Sequence, residues 1–155
     1  FDRGLKGFEK LTGQKPTAFG APSWLIDDRV LRIIRKYPFA YLSCTRAKAP
    51  FVHDPLNLPE IPSDLPCFEE LDLQNGPAVI LGLMNDGGDH VLPVHAEVEG
   101  GVFEEQFRRL LQASLKAGME VTGLGDFKNA LTMDRLPRRK YKMELLPGRH
   151  SLCAV

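Results

Sequence analysis

The stretch Val91-Leu92-Pro93-Val94-His95-Ala96-Glu97-Val98-Glu99-Gly100 decides how the fold is read. An apolar run of strand length ends on a histidine and two carboxylates at alternate positions. Gly100-Gly101 and a long amphipathic pattern follow. Alternate residues of a strand share a face, so the spacing predicts that His95, Glu97 and Glu99 point the same way. Polar groups gathered where a strand gives way to a helix are where α/β enzymes keep their chemistry.

Downstream, Val102 to Met119 reads as a helix, with Phe103, Phe107, Leu110, Leu111 and Leu115 on one stripe. Glu104–Arg108 and Glu105–Arg109 are four-residue ion pairs that favour it. Val121 to Leu124 reads as a strand, and Asp126 opens a short helix to Leu131. Tyr141 to Leu146 reads as a final strand. Upstream, Leu5, Phe8 and Leu11 fall at helical spacing and Gly13 ends that helix. Thr17 to Phe19 forms a short strand. Asp27 and Asp28 open a helix whose apolar face is Val30, Leu31, Ile33, Ile34 and Tyr37, stopped by Pro38. Phe39 to Ser43 is another strand. Arg46 to Pro66 carries Pro50, Pro55, Pro59, Pro62 and Pro66, so it reads as an ordered loop with one brief extended piece at Glu60-Ile61. Asp72 to Asp89 mixes a short apolar run with Gly and Asn and gives no clear element. Strands alternating with helices imply an α/β fold with parallel strands and crossover helices.

A chain of 155 residues, 43% hydrophobic and 26% charged, fits one soluble domain with a sizeable core. Twenty basic and twenty acidic residues leave no net field to attract nucleic acid. No apolar run is long enough to span a bilayer. Cys44, Cys67 and Cys153 are an odd number at wide spacing, which argues against a disulfide framework and shows no zinc-site spacing. Phe1 to Leu11 reads like the tail of a helix, so the chain is expected to begin inside a larger protein.

His95 is the leading catalytic candidate, since an imidazole titrates near neutrality and suits general acid or base work. The alternative is a histidine with a purely structural hydrogen bond. Glu97 and Glu99 can orient His95, bind substrate or ligate a metal, or simply face solvent at a strand end. His90, His95 and Glu97 make a conceivable metal set without standard spacing. Trp24 stands at a strand-to-helix turn, where it can wall a sugar pocket or pack in the core. Arg46, after the Phe39–Ser43 strand, can grip a phosphate or carboxylate or lie on the surface. Cys44 has no identifiable activating partner and reads as inert packing. Arg138, Arg139, Lys140 and Lys142 form a basic cluster that can meet anionic lipid or remain a solvated face. His53 and His150 carry no usable pattern, and there is no phosphate-binding glycine loop or nucleophile elbow.

His95-Ala96-Glu97-Val98-Glu99-Gly100, after its apolar run, resembles the last motif of a deformylase branch of the polysaccharide deacetylase (NodB-homology) superfamily. That branch comprises the deformylases of 4-deoxy-4-formamido-L-arabinose-phosphoundecaprenol, which serve lipid A modification. Other stretches follow in the same order. They are Leu11 to Gln14, Trp24 with Asp27 or Asp28, Arg46, Pro50-Phe51, Ile61-Pro62 through Leu65-Pro66 to Glu70-Leu71, and the closing Leu145 to Arg149. The His95–Gly100 and Ile61–Leu71 blocks are the most specific.

The resemblance implies the C-terminal part of a distorted, incomplete (β/α) barrel. It implies metal-dependent removal of an N-formyl or N-acetyl group from an amino sugar, perhaps polyprenyl-phosphate-linked, with His95 protonating the leaving amine. Trp24 and Arg46 fall at pocket positions, with Glu97 and Glu99 as supports. The divalent metal, expected to be zinc, takes its ligands from aspartate- and histidine-containing motifs upstream of Phe1, so no ligand is assigned within this chain. An amino-sugar substrate, no nucleic acid, peripheral membrane contact and a cytoplasmic location at the inner face of a bacterial membrane are implied with it. Two departures bear on substrate identity: Cys44 stands where the deformylases have an aspartate, and Leu25 where an arginine follows their tryptophan. A peptidoglycan or chitooligosaccharide deacetylase, or a sugar-binding relative without a metal site, are the alternative readings.

Overall fold

A computed structural model of the chain describes residues 1–54, 56–72 and 75–155. Helix α1 (Asp2–Thr12) ends where Gly13, at φ 71°, turns left-handed and donates its N–H to Glu9. Strand β1 (Ala18–Gly20) and a 3-10 turn (Pro22–Trp24) lead to α2 (Asp28–Ile34). Asp27 caps α2 by accepting the Val30 N–H at 2.8 Å. The helix stops three residues short of Tyr37, because Lys36 and Tyr37 bond back to Ile33 and Ile34 in a tighter turn. Strand β2 (Tyr41–Ser43) is shorter than expected, and Phe39 is buried core instead of ladder.

The proline-rich stretch is not simply a loop. It contains two strands, β3 (Phe51–His53) and β4 (Leu58–Glu60), paired antiparallel with Phe51 opposite Glu60. Pro59 is tolerated because its partner register leaves it no ladder N–H to supply. Pro55 lies outside the described residues.

The first of two compact units comprises Phe1–Pro62, Thr132–Glu144 and Cys153–Val155. It holds a five-stranded sheet in the order β1-β2-β4-β3-β5, where β5 is Arg138–Arg139. Pairings β1/β2, β2/β4 and β3/β5 are parallel. Strands β6 (Met143–Glu144) and β7 (Cys153–Ala154) pair antiparallel beside it. Ile26, Leu31, Ile34, Phe39, Leu42, Cys44 and Ala154 form the core of this unit. The fold is therefore mixed α/β with a parallel-rich sheet.

The second unit, Ser63–Leu131 with Leu145–Leu152, is helical. Its helices are α3 (Gly76–Leu83), α4 (Glu104–Lys116) and α5 (Leu124–Ala130). Leu65, Phe68, Ile80, Phe103 and Leu110 make its core, with Phe68 edge-on to Phe103 at 5.6 Å.

Three expectations fail in this unit. Val91 to His95 is extended but not a strand. Pro93 has no N–H for a ladder, the Val91 N–H goes to Asp64 Oδ1 at 2.6 Å, and the Val91 carbonyl accepts from Leu65. His95, Glu97 and Glu99 therefore do not share a strand face. Val98 and Glu99 both donate to the His95 carbonyl, and Val98–Val102 is a π-helical turn leading into α4. Val121 to Leu124 forms no strand, since α5 already begins at Leu124. On α4, Leu115 leaves the expected stripe and is 59% exposed, while Ser114 is buried and its hydroxyl satisfied by the Leu110 carbonyl.

Candidate functional site

The turn before α3 supplies the first half of a site in the second unit. Cys67 caps a 3-10 turn, Phe68–Glu70. Its sulfur accepts the Glu70 N–H while the Glu70 carboxylate accepts the Cys67 N–H at 3.2 Å. Arg149 clamps the other Glu70 oxygen at 2.8 Å, with both side chains largely buried. Gly148 makes that approach possible. Its φ is 79°, and a Cβ there would come within 3.3 Å of the Glu70 carbonyl. The clamped turn points Glu69 outward, beside Cys67.

The second half is the turn after Val94. Glu99 is only 1% exposed, and its Oε2 accepts the His95 N–H at 2.6 Å. A buried carboxylate thus fixes the His95 backbone, not its ring, from four residues ahead. The ring meets Glu69 instead, Nδ1 to Oε1 at 3.0 Å. Among the described residues, the ligand atoms of Cys67, Glu69 and His95 all lie within 4.8 Å of one another. Glu97 is exposed on the adjoining turn.

His90 lies apart from this cluster in its bonding. Its two ring nitrogens meet Asp64 at 2.7 Å and Asp86 at 2.9 Å. Burial alone would push its pKa down, but the hydrogen bonds to the two carboxylates outweigh burial and hold it above its ordinary value. With both nitrogens engaged, His90 is not gathered with His95 and Glu97 into the metal set considered from sequence.

In the first unit, Trp24 and Arg46 come together, the guanidinium 4.7 Å from the centre of the indole. Ser23 and Trp24 both have positive φ, an unusual pair of non-glycine residues in the left-handed region. Such strain persists only where the surroundings impose it, and here the indole is buried under that guanidinium. Arg46 is set by its neighbours. The Cys44 and Thr45 N–H groups and the Thr45 hydroxyl all donate to Glu60 Oε1, and the Arg46 N–H donates to Ala154. Glu60 Oε2 meets His53 Nε2 at 3.1 Å with both side chains fully buried. Burial and the nearby Glu60 charge push the Cys44 thiol well up, so it stays protonated, in line with inert packing.

The basic cluster is mostly engaged. Arg138 bonds Asn57, Lys142 pairs with Glu144, and Arg139 lies over Phe51. Lys140 and Lys142 join Arg32 and Arg35 along a groove of about 560 Å³ in the first unit, which Asp28 and Asp54 also line.

Sequence reasoning missed Cys67, Glu69, Glu60 and His53. Only the Ile61–Leu71 resemblance pointed toward the first two, and no spacing rule links them to His95. His53 and Glu60 carry a local signal: His53 lies two residues along β3 from Phe51, the partner of Glu60, so the two share one face of the hairpin.

As donors, a thiolate, a carboxylate and an imidazole suit zinc. The set does not suit the hydrolytic metal implied above, because it would consume the histidine to which the resemblance gives the role of acid.

The site is built from the stretches that carry the resemblance: Leu65–Leu71, His95–Gly100 and Pro147–Arg149. It is an imidazole–carboxylate site on an α/β chain similar to the amino-sugar deformylases. Two curated relatives are each named probable 4-deoxy-4-formamido-L-arabinose-phosphoundecaprenol deformylase ArnD. The protein from Shewanella sediminis is 32% identical over 116 residues, covering 71% of this chain and 38% of its own length. That from Wigglesworthia glossinidia brevipalpis is 26% identical over 144 residues, covering 86% of this chain and 50% of its own length. The chain thus spans half or less of the length of these relatives. No family profile matches it.

Proposed function

We propose that this chain is the C-terminal portion of a hydrolase that removes an N-formyl or N-acetyl group from an amino sugar carried on a polyprenyl phosphate. In this reading the whole chain is one domain's share of a distorted, incomplete (β/α) barrel of the NodB-homology type. One observation carries the reading most: the two stretches most like the deformylases meet at the 3.0 Å contact between His95 and Glu69.

His95 is the general acid. Its proton goes to the leaving amine nitrogen as the carbon–nitrogen bond breaks, which spares the sugar from departing as an amide anion. Glu69 places a carboxylate 3.0 Å from the ring, and Glu99 fixes the backbone from which the ring projects. Trp24 and Arg46 are pocket residues, the indole for a sugar face and the guanidinium for a carboxylate or phosphate. Glu97, exposed beside His95, is a substrate contact. A divalent metal, with zinc the expected ion and its ligands outside these 155 residues, supplies the activated water and the stabilisation of the oxyanion.

No helix of the described residues is long and apolar enough to cross a membrane. A lipid-linked substrate would bring the protein to the cytoplasmic face of the membrane, and the cationic groove of Arg32, Arg35, Lys140 and Lys142 supports peripheral contact there.

The test is His95→Ala in the full-length protein, assayed by release of formate or acetate. Turnover should fall by about 10²–10⁴-fold with an unchanged circular dichroism spectrum, as expected for loss of a general acid. Near-normal turnover would remove His95 from the chemistry.

A further inference from the structure

We propose that Cys67, Glu69 and His95 form a zinc site of their own, separate from the hydrolytic metal, and that zinc there silences His95. The geometry is that of co-ligands. The His95 Nδ1 and Glu69 Oε1 atoms are 3.0 Å apart, yet they lack the alignment of a hydrogen bond. Nδ1 is shut off from solvent and has no hydrogen-bond partner. An unpartnered ring nitrogen beside a carboxylate oxygen is available to share an ion with it. Tetrahedral zinc with bonds of about 2.0–2.3 Å puts its donors roughly 3.3–3.7 Å apart, and the three ligand atoms here lie within 4.8 Å of one another.

The donor types favour zinc over magnesium or calcium, which prefer oxygen alone. The backbone is already set. Cys67 is locked by the Glu70 N–H on its sulfur, and Glu70 by Arg149. His95 is fixed by Glu99. The His95 and Glu69 side chains are 41% and 42% exposed, which leaves an approach for the ion and a fourth position for water. Glu70 takes no part, because both its oxygens are engaged.

Only the consequence rests on the catalytic reading. An imidazole bound to zinc through Nδ1, with Glu69 drawn to the metal, is no longer oriented or protonated as the acid requires. Zinc in excess of the hydrolytic metal then inhibits.

The experiment is a titration of the reduced 155-residue chain with cobalt(II), zinc's spectroscopic stand-in. One equivalent should bind and give a near-ultraviolet thiolate-to-cobalt band, and added zinc should bleach it. Cys67→Ser should abolish the band. Glu69→Gln, on an exposed side chain that disturbs no core, should weaken binding by at least about tenfold. Absence of a saturable one-equivalent site overturns the proposal, as does a band that survives in Cys67→Ser. Failure here with a catalytically dead His95→Ala leaves the proposed function standing. A cobalt site together with undiminished turnover in His95→Ala does the reverse.

Discussion

At the scale of single residues, the informative groups are buried charges whose partners come from elsewhere in the chain. Glu60 is buried and answers three donors through one oxygen and His53 through the other. Buried carboxylates are costly unless so satisfied, and this one holds the backbone that leads to Arg46. His90 gives a direct test of such accounting. Its net pKa lies above the ordinary 6.5, because the hydrogen bonds to Asp64 and Asp86 outweigh the effect of burial. The folded form therefore binds the proton more tightly than the unfolded one. The stability that His90 contributes is full below pH 6.5 and is lost as the pH rises through the raised folded value. An NMR titration of the His90 ring should give a midpoint above 6.5, and Asp64→Asn should lower it. A midpoint at or below 6.5 would show that burial wins.

At the scale of elements, much was legible. The Gly13 helix end and the Asp27 cap are local chemistry, and α2 starts where the sequence says, though it ends at Ile34, short of the Pro38 stop. The errors have physical causes. A four-residue apolar run cannot announce whether its amides will meet a neighbouring strand, and at Val91 they meet Asp64. A helical stripe tells which residues share a face but not how far the partner surface extends. On α4 the buried face runs through Leu110 to Ser114 and leaves Leu115 outside. Leu110→Ala should cost about 2–5 kcal/mol in denaturant unfolding, whereas Leu115→Ala should stay within about 0.5 kcal/mol. Equal losses would mean that the stripe read from sequence is the true buried face. The β3–β4 hairpin was missed because five prolines in the stretch argue against regular structure, although only Pro59 falls within a strand of it.

At the scale of the whole molecule, the chain matches half or less of the length of the relatives named above. Its one cluster of metal-ligating groups among the described residues includes His95, the residue proposed as the acid. The 155-residue chain assayed alone should release no formate from a formamido-sugar. Turnover by this piece would mean that the metal site is complete here and that Cys67, Glu69 and His95 hold it.

The sequence by itself determined the α/β class, the end of α1 at Gly13, the start of α2, the prominence of His95 and the likeness to the deformylases. Those properties reside in neighbouring residues: capping, periodicity and the order of a few short motifs. Only the tertiary structure decided that Glu99 serves the His95 backbone and Glu69 its ring, that Cys67 stands beside them, and that Glu60 with His53 fixes the approach to Arg46. Each of those is a contact between segments far apart in the chain. Its partner is chosen by which backbone groups packing leaves unsatisfied, and no spacing rule encodes that.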